Sequence, residues 1–185
     1  MIREAVRSDA VMAVPLILQA IGDIAFVLTG TTNSQETASI LEGFFGQEAT
    51  RLSYENALVI EKEGQLVGLA ILYDGAKARD LDAPLERAAA QKSGDATYCI
   101  PTEAEASEFY LDTLSVRSSC QGRGWGRKLI EAACDRGRRL GHRHLALLVD
   151  IDNAMAKRLY ERLGFRADYR RWIAGHEYFH MVRSL

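Results

Sequence analysis

The chain has 185 residues, of which 48% are hydrophobic and 26% charged, a composition typical of a single globular domain. A formal net charge of −2 and a pI near 6.1 give no overall basic field for nucleic acid or an anionic membrane, so neither partner is expected. Three cysteines without a CxxC pair, and charged residues where a signal peptide would be apolar, predict a cytoplasmic protein with reduced thiols and no membrane span.

The first half of the chain predicts a strand, two helices and a hairpin. In order, these are a strand at 2–6, a helix from about 11 to 28, a helix that begins at 34, and strands at 57–61 and 66–73. Ser8 or Asp9 is a candidate N-cap for the first helix, because its side-chain oxygen can accept a hydrogen bond from a free helical amide. The turn of the hairpin is expected at Glu63-Gly64.

The segment from Asp74 to Ser107 has no strand pattern. Asp82-Ala83-Pro84 is typical of a helix start, with proline just inside it, and Ser93-Gly94-Asp95 is expected to end that helix. A connection this long within a compact domain is expected to be either functional or poorly ordered. We therefore interpret residues 1–185 as one domain, in which 74–107 is an insertion or lid on the substrate side.

The second half of the chain predicts alternating strands and helices. In order, these are a strand at 108–116, a loop at 118–126, a helix at 127–140, a strand at 144–149, a helix capped by Asp152 or Asn153, and closing strands at 165–172 and 177–183. Gly141 and Gly164 are expected to end the two helices. These elements, without an internal repeat, predict one α+β or α/β domain.

A glycine-rich segment, Gln121-Gly122-Arg123-Gly124-Trp125-Gly126-Arg127-Lys128, lies between a predicted strand and the helix that follows. Glycine lets a ligand approach the backbone, and the free amides and dipole of a helix N-terminus attract phosphate. An isolated segment of this kind is more typical of a plain glycine-rich turn with solvated basic residues. Its G-x-G-x-G spacing differs from the G-x-G-x-x-G of dinucleotide folds, and it lacks the G-K-[ST] ending of a P-loop.

Two segments together resemble the GNAT superfamily of N-acetyltransferases. Residues 114–126, LSVRSSCQGRGWG, are similar to the cofactor motif of that superfamily, and residues 153–165, NAMAKRLYERLGF, are similar to its second motif, N-x-x-A-x-x-L-Y-x-x-x-G-F. The resemblance extends over nearly the whole chain and is vague at 74–107. It implies a mixed, mostly antiparallel central sheet flanked by helices. It also implies transfer of an acetyl group from acetyl-CoA to a primary amine by direct attack, without a metal, and homodimers are common in the family.

The resemblance also implies which residues hold the cofactor. The strand backbone is expected to pair with the pantetheine arm, the loop amides to bind the pyrophosphate, and Asn153 and Tyr160 to lie along the arm and near its sulfur. The implied cofactor residues are Leu114, Ser115, Val116, Gln121, Gly122, Arg123, Gly124, Trp125, Gly126, Arg127, Asn153 and Tyr160. Asn153 and Tyr160 are two helical turns apart and project from one side of their helix, although each is also typical of an ordinary cap or core residue.

Acetyl transfer to an amine requires proton movement. A primary amine with a pKa of about 10.4 is mostly protonated at pH 7, so a base is needed, and the leaving thiolate benefits from a proton donor, for which Tyr160 is our hypothesis. By period-two alternation Glu108 and Asp112 share one strand face, which is expected to be that of Leu114 and Val116 unless a bulge intervenes. Glu108 is our first hypothesis for the base and Asp112 the second. A solvated strand-edge carboxylate is the alternative for both.

Two competing interpretations concern metal and catalysis. Residues 176–180, HEYFH, match the HExxH motif of zinc proteases, but that motif needs a helix and a third ligand, whereas these residues are expected on a terminal strand. A chance match is therefore the preferred interpretation. The alternative function is a non-catalytic CoA-binding regulatory module of the same fold. The sequence leaves the acceptor amine open, and the acidic residues of 74–107 hint at a cation.

Overall fold

The computed structural model of the protein describes residues 1–173 and 175–185. Its centre is a seven-stranded sheet in the order β1-β2-β3-β4-β5-β7-β6. The strands are β1 (Ile2–Glu4), β2 (Ala57–Lys62), β3 (Gln65–Asp74), β4 (Phe109–Val116), β5 (His144–Asp150), β6 (Arg166–Ile173) and β7 (His176–Ser184). The helices are α1 (Ala10–Ile21), α2 (Ile24–Thr29), α3 (Ser34–Phe45), α4 (Ala78–Ser93), α5 (Trp125–Arg139) and α6 (Ala154–Arg162).

The β2–β3 hairpin is buried on both faces because helices cover both sides of the sheet. Val59 and Leu69 pack into a cluster with α1 and α3, whereas their chain neighbours Leu58 and Ala70 pack into a second cluster with α5. This is the alternation that a strand requires, since successive side chains project from opposite faces. Each large side chain buried in this way contributes roughly 1.5–3 kcal/mol, so the two clusters fix the hairpin's register and both helical layers.

The sheet is mixed and mostly antiparallel, which confirms the predicted fold class. β4 and β5 pair in parallel, and the other neighbouring strands pair antiparallel. β4 and β5 pair only at two positions, Phe109 with Leu145 and Tyr110 with Ala146. Beyond those positions the two strands separate, which leaves an opening in the middle of the sheet.

Two predicted helices have different bounds in the structure. The helix predicted from about 11 to 28 is two helices, because Gly22 has a φ of 51° and its amide closes the last turn of α1 on Leu18. The helix predicted to start at Asp82 begins at Ala78 instead and carries Pro84 in its interior, where the sequence had suggested a first-turn position. Its end at Gly94, in the left-handed conformation, is as expected.

Candidate active site

The gap between β4 and β5 opens into a cavity of about 980 Å³. One end of the cavity is formed by the N-terminus of α5 and by α6, and the other end by α2, by residues 100–103 and by the first half of β4. Arg127 and Arg162 line the former, and Glu103 and Asp112 line the latter. We call these two ends the cofactor half and the acceptor half.

The glycine-rich segment forms the wall of the cofactor half. Gly122 and Gly124 have φ values of 72° and 78°, the left-handed region that favours glycine, and Gly124 is the N-cap of α5. The first intrahelical bond runs from the amide of Lys128 to the carbonyl of Gly124. The amides of residues 125–127 therefore have no acceptor within the helix, and these residues line the cavity.

The end of β4 presents backbone to the same half. The amide of Arg117 donates to Val67 of β3 at 2.9 Å, so by alternation the backbone groups of Val116 and Leu114 project from the opposite edge. Both residues line the cavity. Ser115 faces the other way, and its hydroxyl accepts a hydrogen bond from Gln19 of α1 at 3.1 Å. The carbonyl of Val116 accepts from the side chains of Gln19 and Gln121, which fastens the loop to the strand.

Two predicted cofactor residues of α6 lie together on the cavity wall. Asn153 is the N-cap of α6, its Oδ1 accepts from the amide of Ala156 at 3.0 Å, and its side-chain amide group is left as a donor. Tyr160 is half-buried and packs edge-on against Phe165. Burial raises the pKa of Tyr160 to about 12, so its hydroxyl is a hydrogen-bond donor at neutral pH.

Some predicted residues lie elsewhere. Arg123 is exposed and does not line the cavity, and Lys128 sits over the Trp125 ring at 4.5 Å. Trp125 itself lines the cavity and also packs against the hydrophobic cluster beneath α5.

The expectation that Glu108 shares a face with Leu114 and Val116 is wrong. The β3–β4 pairing shifts register at Asp112, where β4 carries one extra residue, and a shift of one residue exchanges the two faces of a strand. Glu108 is buried outside the cavity, where its carboxylate lies 3.1 Å from Nε2 of His180. Asp112, in contrast, lines the cavity.

Asp112 belongs to a buried ionic cluster around Arg51. Nε of Arg51 donates to Oδ1 of Asp112 at 2.6 Å, and its Nη2 donates to Oε1 of Glu103 at 2.8 Å. Asp82 lies farther away, at 3.5 Å. Tyr110 donates its hydroxyl to the other carboxylate oxygen of Glu103 at 2.8 Å. The cluster thus holds three carboxylates around one guanidinium.

Burial and hydrogen bonding shift the pKa values of these three carboxylates in different directions. Burial raises the pKa of Asp112 above the ordinary value, against the opposing pull of Arg51. Burial also raises the pKa of Asp82 to about 6. Burial opposes ionisation of Glu103 too, but the charge of Arg51 and the hydrogen bonds from Arg51 and Tyr110 outweigh it, and its pKa is lowered. Glu103 is therefore the fixed negative charge, and Asp112 is the carboxylate suited to exchange a proton.

Arg51 was not predicted as a site residue from the sequence, and Glu103 was grouped with the other acids of residues 74–107. Neither belongs to a recognisable motif, and their contacts span 52 residues of chain. The signal that could have suggested an internal partner is Asp112 itself, because a carboxylate within an apolar strand requires a buried counter-charge.

Comparison with known proteins identifies the family. A model of the Acetyltransferase (GNAT) family matches residues 29–165. The chain belongs to the GNAT acetyltransferase family. It is an acyltransferase, and the family uses acetyl-CoA.

Two solved structures share the fold over almost the full length. An acetyltransferase of known crystal structure is 29% identical, with 100% of this chain and 98% of that chain covered and a TM-score of 0.82. An N-acetyltransferase from Staphylococcus aureus Mu50 is 24% identical, with 98% and 99% covered and a TM-score of 0.83. The latter likeness concerns the fold alone.

A curated relative matches over a shorter stretch. It is the 5-NmdU N-acetyltransferase of Pseudomonas phage PaMx11, 40% identical over 68 residues. The match spans 37% of this chain and 46% of the phage protein, so it covers less than half of that relative.

The HExxH segment lies on strand β7, as expected, where His180 is buried and His176 is exposed. Within residues 1–173 and 175–185, no group of three or more His, Cys, Asp or Glu side chains is arranged to hold a metal ion. No helix in this part of the chain has both the length and the apolar character that crossing a membrane requires.

Proposed function

We propose that this GNAT acetyltransferase transfers an acetyl group from acetyl-CoA to a primary amine by direct attack. The proposal rests on one observation, that a single cavity is continuous from the α5 N-terminus to a buried carboxylate cluster. The α5 N-terminus has the free amides that typically bind phosphate. In this proposal, a thioester bound in the cofactor half lies next to an amine bound in the acceptor half. Such an arrangement supplies proximity, orientation and a base within one enclosed space.

The cofactor half fits acetyl-CoA. Three free amides at the N-terminus of α5, with Arg127 beside them, suit a pyrophosphate. The edge of β4 at Leu114 is not covered by β5, so it can pair with an extended amide-containing arm as an added strand does. Asn153 offers its side-chain amide to the same arm. Bound acetyl-CoA supplies the thioester, whose C–S bond breaks as the new C–N bond forms, and one of the two protons lost by the ammonium leaves with the CoA thiol.

Asp112 takes the other proton of the ammonium. Its Oδ1 faces Nε and Nη2 of Arg51, whereas its Oδ2 accepts from the Thr113 hydroxyl at 2.8 Å and has a further lone pair for the amine. A raised pKa makes Asp112 a stronger base than an ordinary carboxylate, while Arg51 keeps it oriented. We propose Asp112 as the general base in place of Glu108, which lies outside the cavity.

Tyr160 stabilises the departing sulfur. A hydroxyl with a pKa of about 12 is a weaker acid than a thiol with a pKa of about 8.5, so complete proton transfer to the thiolate is unfavourable by roughly 5 kcal/mol. Tyr160 therefore acts as a hydrogen-bond donor to the thiolate. This refines the general-acid hypothesis, because the stabilisation is retained while the proton stays on the phenol.

Residues 74–107 contribute Ile100, Pro101 and Glu103 to the wall of the acceptor half, which supports a substrate-side role for that segment. The name of the phage relative makes 5-NmdU one acceptor to include in any panel. A cytoplasmic location and a homodimer stay predictions.

Turnover of acetyl-CoA tests the proposed function. Thiol release is measured with acetyl-CoA and a panel of primary amines, and the acetylated product is identified by mass spectrometry. Amine-dependent release with an acetylamide product is the expected result. Tight CoA binding without turnover of any amine would instead favour the non-catalytic CoA-binding module.

A further inference from the structure

The acceptor half carries more negative than positive charge. Three carboxylates, those of Asp82, Glu103 and Asp112, face the guanidinium of Arg51, and a second guanidinium, that of Arg171, donates to the backbone carbonyl of Glu103 at 3.0 Å. Buried charge is costly unless it is paired, so this surplus favours a cation brought in from outside. An acceptor ammonium matches that requirement in sign and in its number of hydrogen-bond donors.

Glu103 is the carboxylate that presents the surplus charge to the cavity. Its side chain is 22% exposed, whereas those of Asp82 and Asp112 are 3% and 4% exposed. Arg51 and Tyr110 hold its two oxygens in place at 2.8 Å each, and their hydrogen bonds keep it ionised. Glu103 is thus a preorganised anion at the cavity wall.

Another part of the wall of the acceptor half is apolar. Helix α2 contributes Ile24, Val27 and Leu28, and the chain after α4 contributes Ile100 and Pro101. Ile24 and Val27 are 46% and 42% exposed, although both are large apolar side chains. An acceptor that covered them would remove apolar surface from water, which is favourable in proportion to the area buried.

From these two walls we propose the class of acceptor, an inference that rests on the proposed function. The acceptor is a small primary amine with one positive charge on an apolar body and without a carboxylate. Its ammonium lies at Glu103 and Asp112, and its body lies against Ile24 and Val27. A carboxylate beside the amine would meet the like charge of Glu103. A second ammonium would lie along the apolar wall, and Asp23, a further acid that lines the cavity, is exposed and screened by water.

Four amines separate these requirements. Phenethylamine has the proposed features, phenylalanine adds a carboxylate, ethylamine lacks the apolar body, and spermidine adds further charge. We expect kcat/KM for phenethylamine to exceed each of the other three by roughly ten- to hundredfold, because ethylamine forgoes the burial of one large apolar group and phenylalanine and spermidine each bring a further charge into the site. Calorimetry of each amine with the CoA-saturated protein is expected to give the same order of affinity without requiring turnover.

Two variants test whether the charged wall and the apolar wall each determine which amine binds. Glu103→Gln should weaken phenethylamine binding to the CoA complex by roughly tenfold or more, whereas Asp80→Asn, which removes an exposed carboxylate of α4 outside the cavity, should not. Val27→Asp should lower the preference for phenethylamine over spermidine by roughly tenfold or more. Val11→Asp, at a 68% exposed position of α1, is the matched control. An unchanged affinity for CoA shows that each variant is folded.

The outcomes distinguish this inference from the proposed function. If no amine is acetylated, the proposed function fails, and amine binding to the CoA complex still decides the acceptor class. If amines are acetylated but phenylalanine, ethylamine or spermidine equals phenethylamine in kcat/KM, the acceptor class is wrong. Unchanged phenethylamine binding by Glu103→Gln also overturns it.

Discussion

The two halves of the cavity are built in opposite ways. The cofactor half comes from consecutive residues at the N-terminus of α5 and from α6, it is lined by arginines, and it offers main-chain amides. The acceptor half comes from β4, α2, residues 100–103 and the ionic cluster around Arg51, it is lined by carboxylates, and it offers side chains.

This difference separates what is general from what is specific. A ligand held by main-chain amides requires glycine spacing and a helix N-terminus, which constrain many neighbouring residues. A ligand held by side chains requires only that a few suitable groups meet, and any segments of the chain can supply them. We therefore expect changes in the cofactor half to affect every acceptor equally, and changes in the acceptor half to affect acceptors differently.

The largest expected effect is on the base. Asp112→Asn should lower kcat/KM roughly 10²–10⁴-fold, because general-base catalysis contributes that much. In the wild type, activity should be lost as pH falls through the raised pKa of Asp112, above the ordinary range of a carboxyl group, and this acid limb should be absent in the variant. A pH–rate profile tests both points. The control is Asp80→Asn, and an acid limb that persists in Asp112→Asn would assign the base elsewhere.

The second effect concerns the stability of the acceptor half. Asp82 has a folded-state pKa of about 6 against an ordinary value of 3.8, so folding favours its protonated form. The resulting stabilisation is fully present below about pH 3.8 and is lost as the pH rises through 6. The loss amounts to about 3 kcal/mol. Chemical unfolding of the wild type and of Asp82→Asn is to be measured from pH 4 to pH 7. The wild type should lose stability relative to the variant over this range, and a constant difference would show that Asp82 titrates normally.

The third effect is on kcat and concerns the Tyr160 hydroxyl, which we propose to lie beside the thioester sulfur where the two halves meet. Tyr160→Phe should lower kcat by roughly 10–100-fold, because a hydrogen bond to a charged sulfur is worth about 1.5–3 kcal/mol. The fall should be the same for every acceptor, and CoA affinity should hardly change. Tyr54→Phe removes a hydroxyl that contacts Glu48 outside the cavity and is the matched control. An unchanged kcat in Tyr160→Phe would remove the residue from the reaction.

The smallest effect isolates the glycine-rich segment. Gly124→Ala and Gly141→Ala both place alanine at a left-handed glycine, with φ of 78° and 84°, and each should cost about 1–2 kcal/mol of stability. Gly141 follows the far end of α5. Only Gly124→Ala should also weaken CoA binding, by roughly tenfold, because it shifts the free amides of the helix. Equal CoA affinities by calorimetry would mean that this helix N-terminus does not hold the cofactor.

The contrast between the halves also explains which parts of the site could be predicted from the sequence. The segment 121–128 and the pair Asn153 and Tyr160 were predictable, because local spacing alone determines that they lie at a helix N-terminus and on one helix side. The mixed, mostly antiparallel sheet followed from the same resemblance, whereas the strand order is known from the structure alone. Glu108 was misplaced because the bulge at Asp112 depends on pairing with β3, which no local pattern records. Arg51 was missed because its partners lie 31 to 61 residues away.

A crystal structure of the protein with CoA tests the central claim most directly. We expect the pyrophosphate on the amides of residues 125–127 and the sulfur beside Tyr160, facing Asp112 across the gap between β4 and β5. A pyrophosphate bound away from the N-terminus of α5, or a sulfur out of reach of both side chains, would contradict the account.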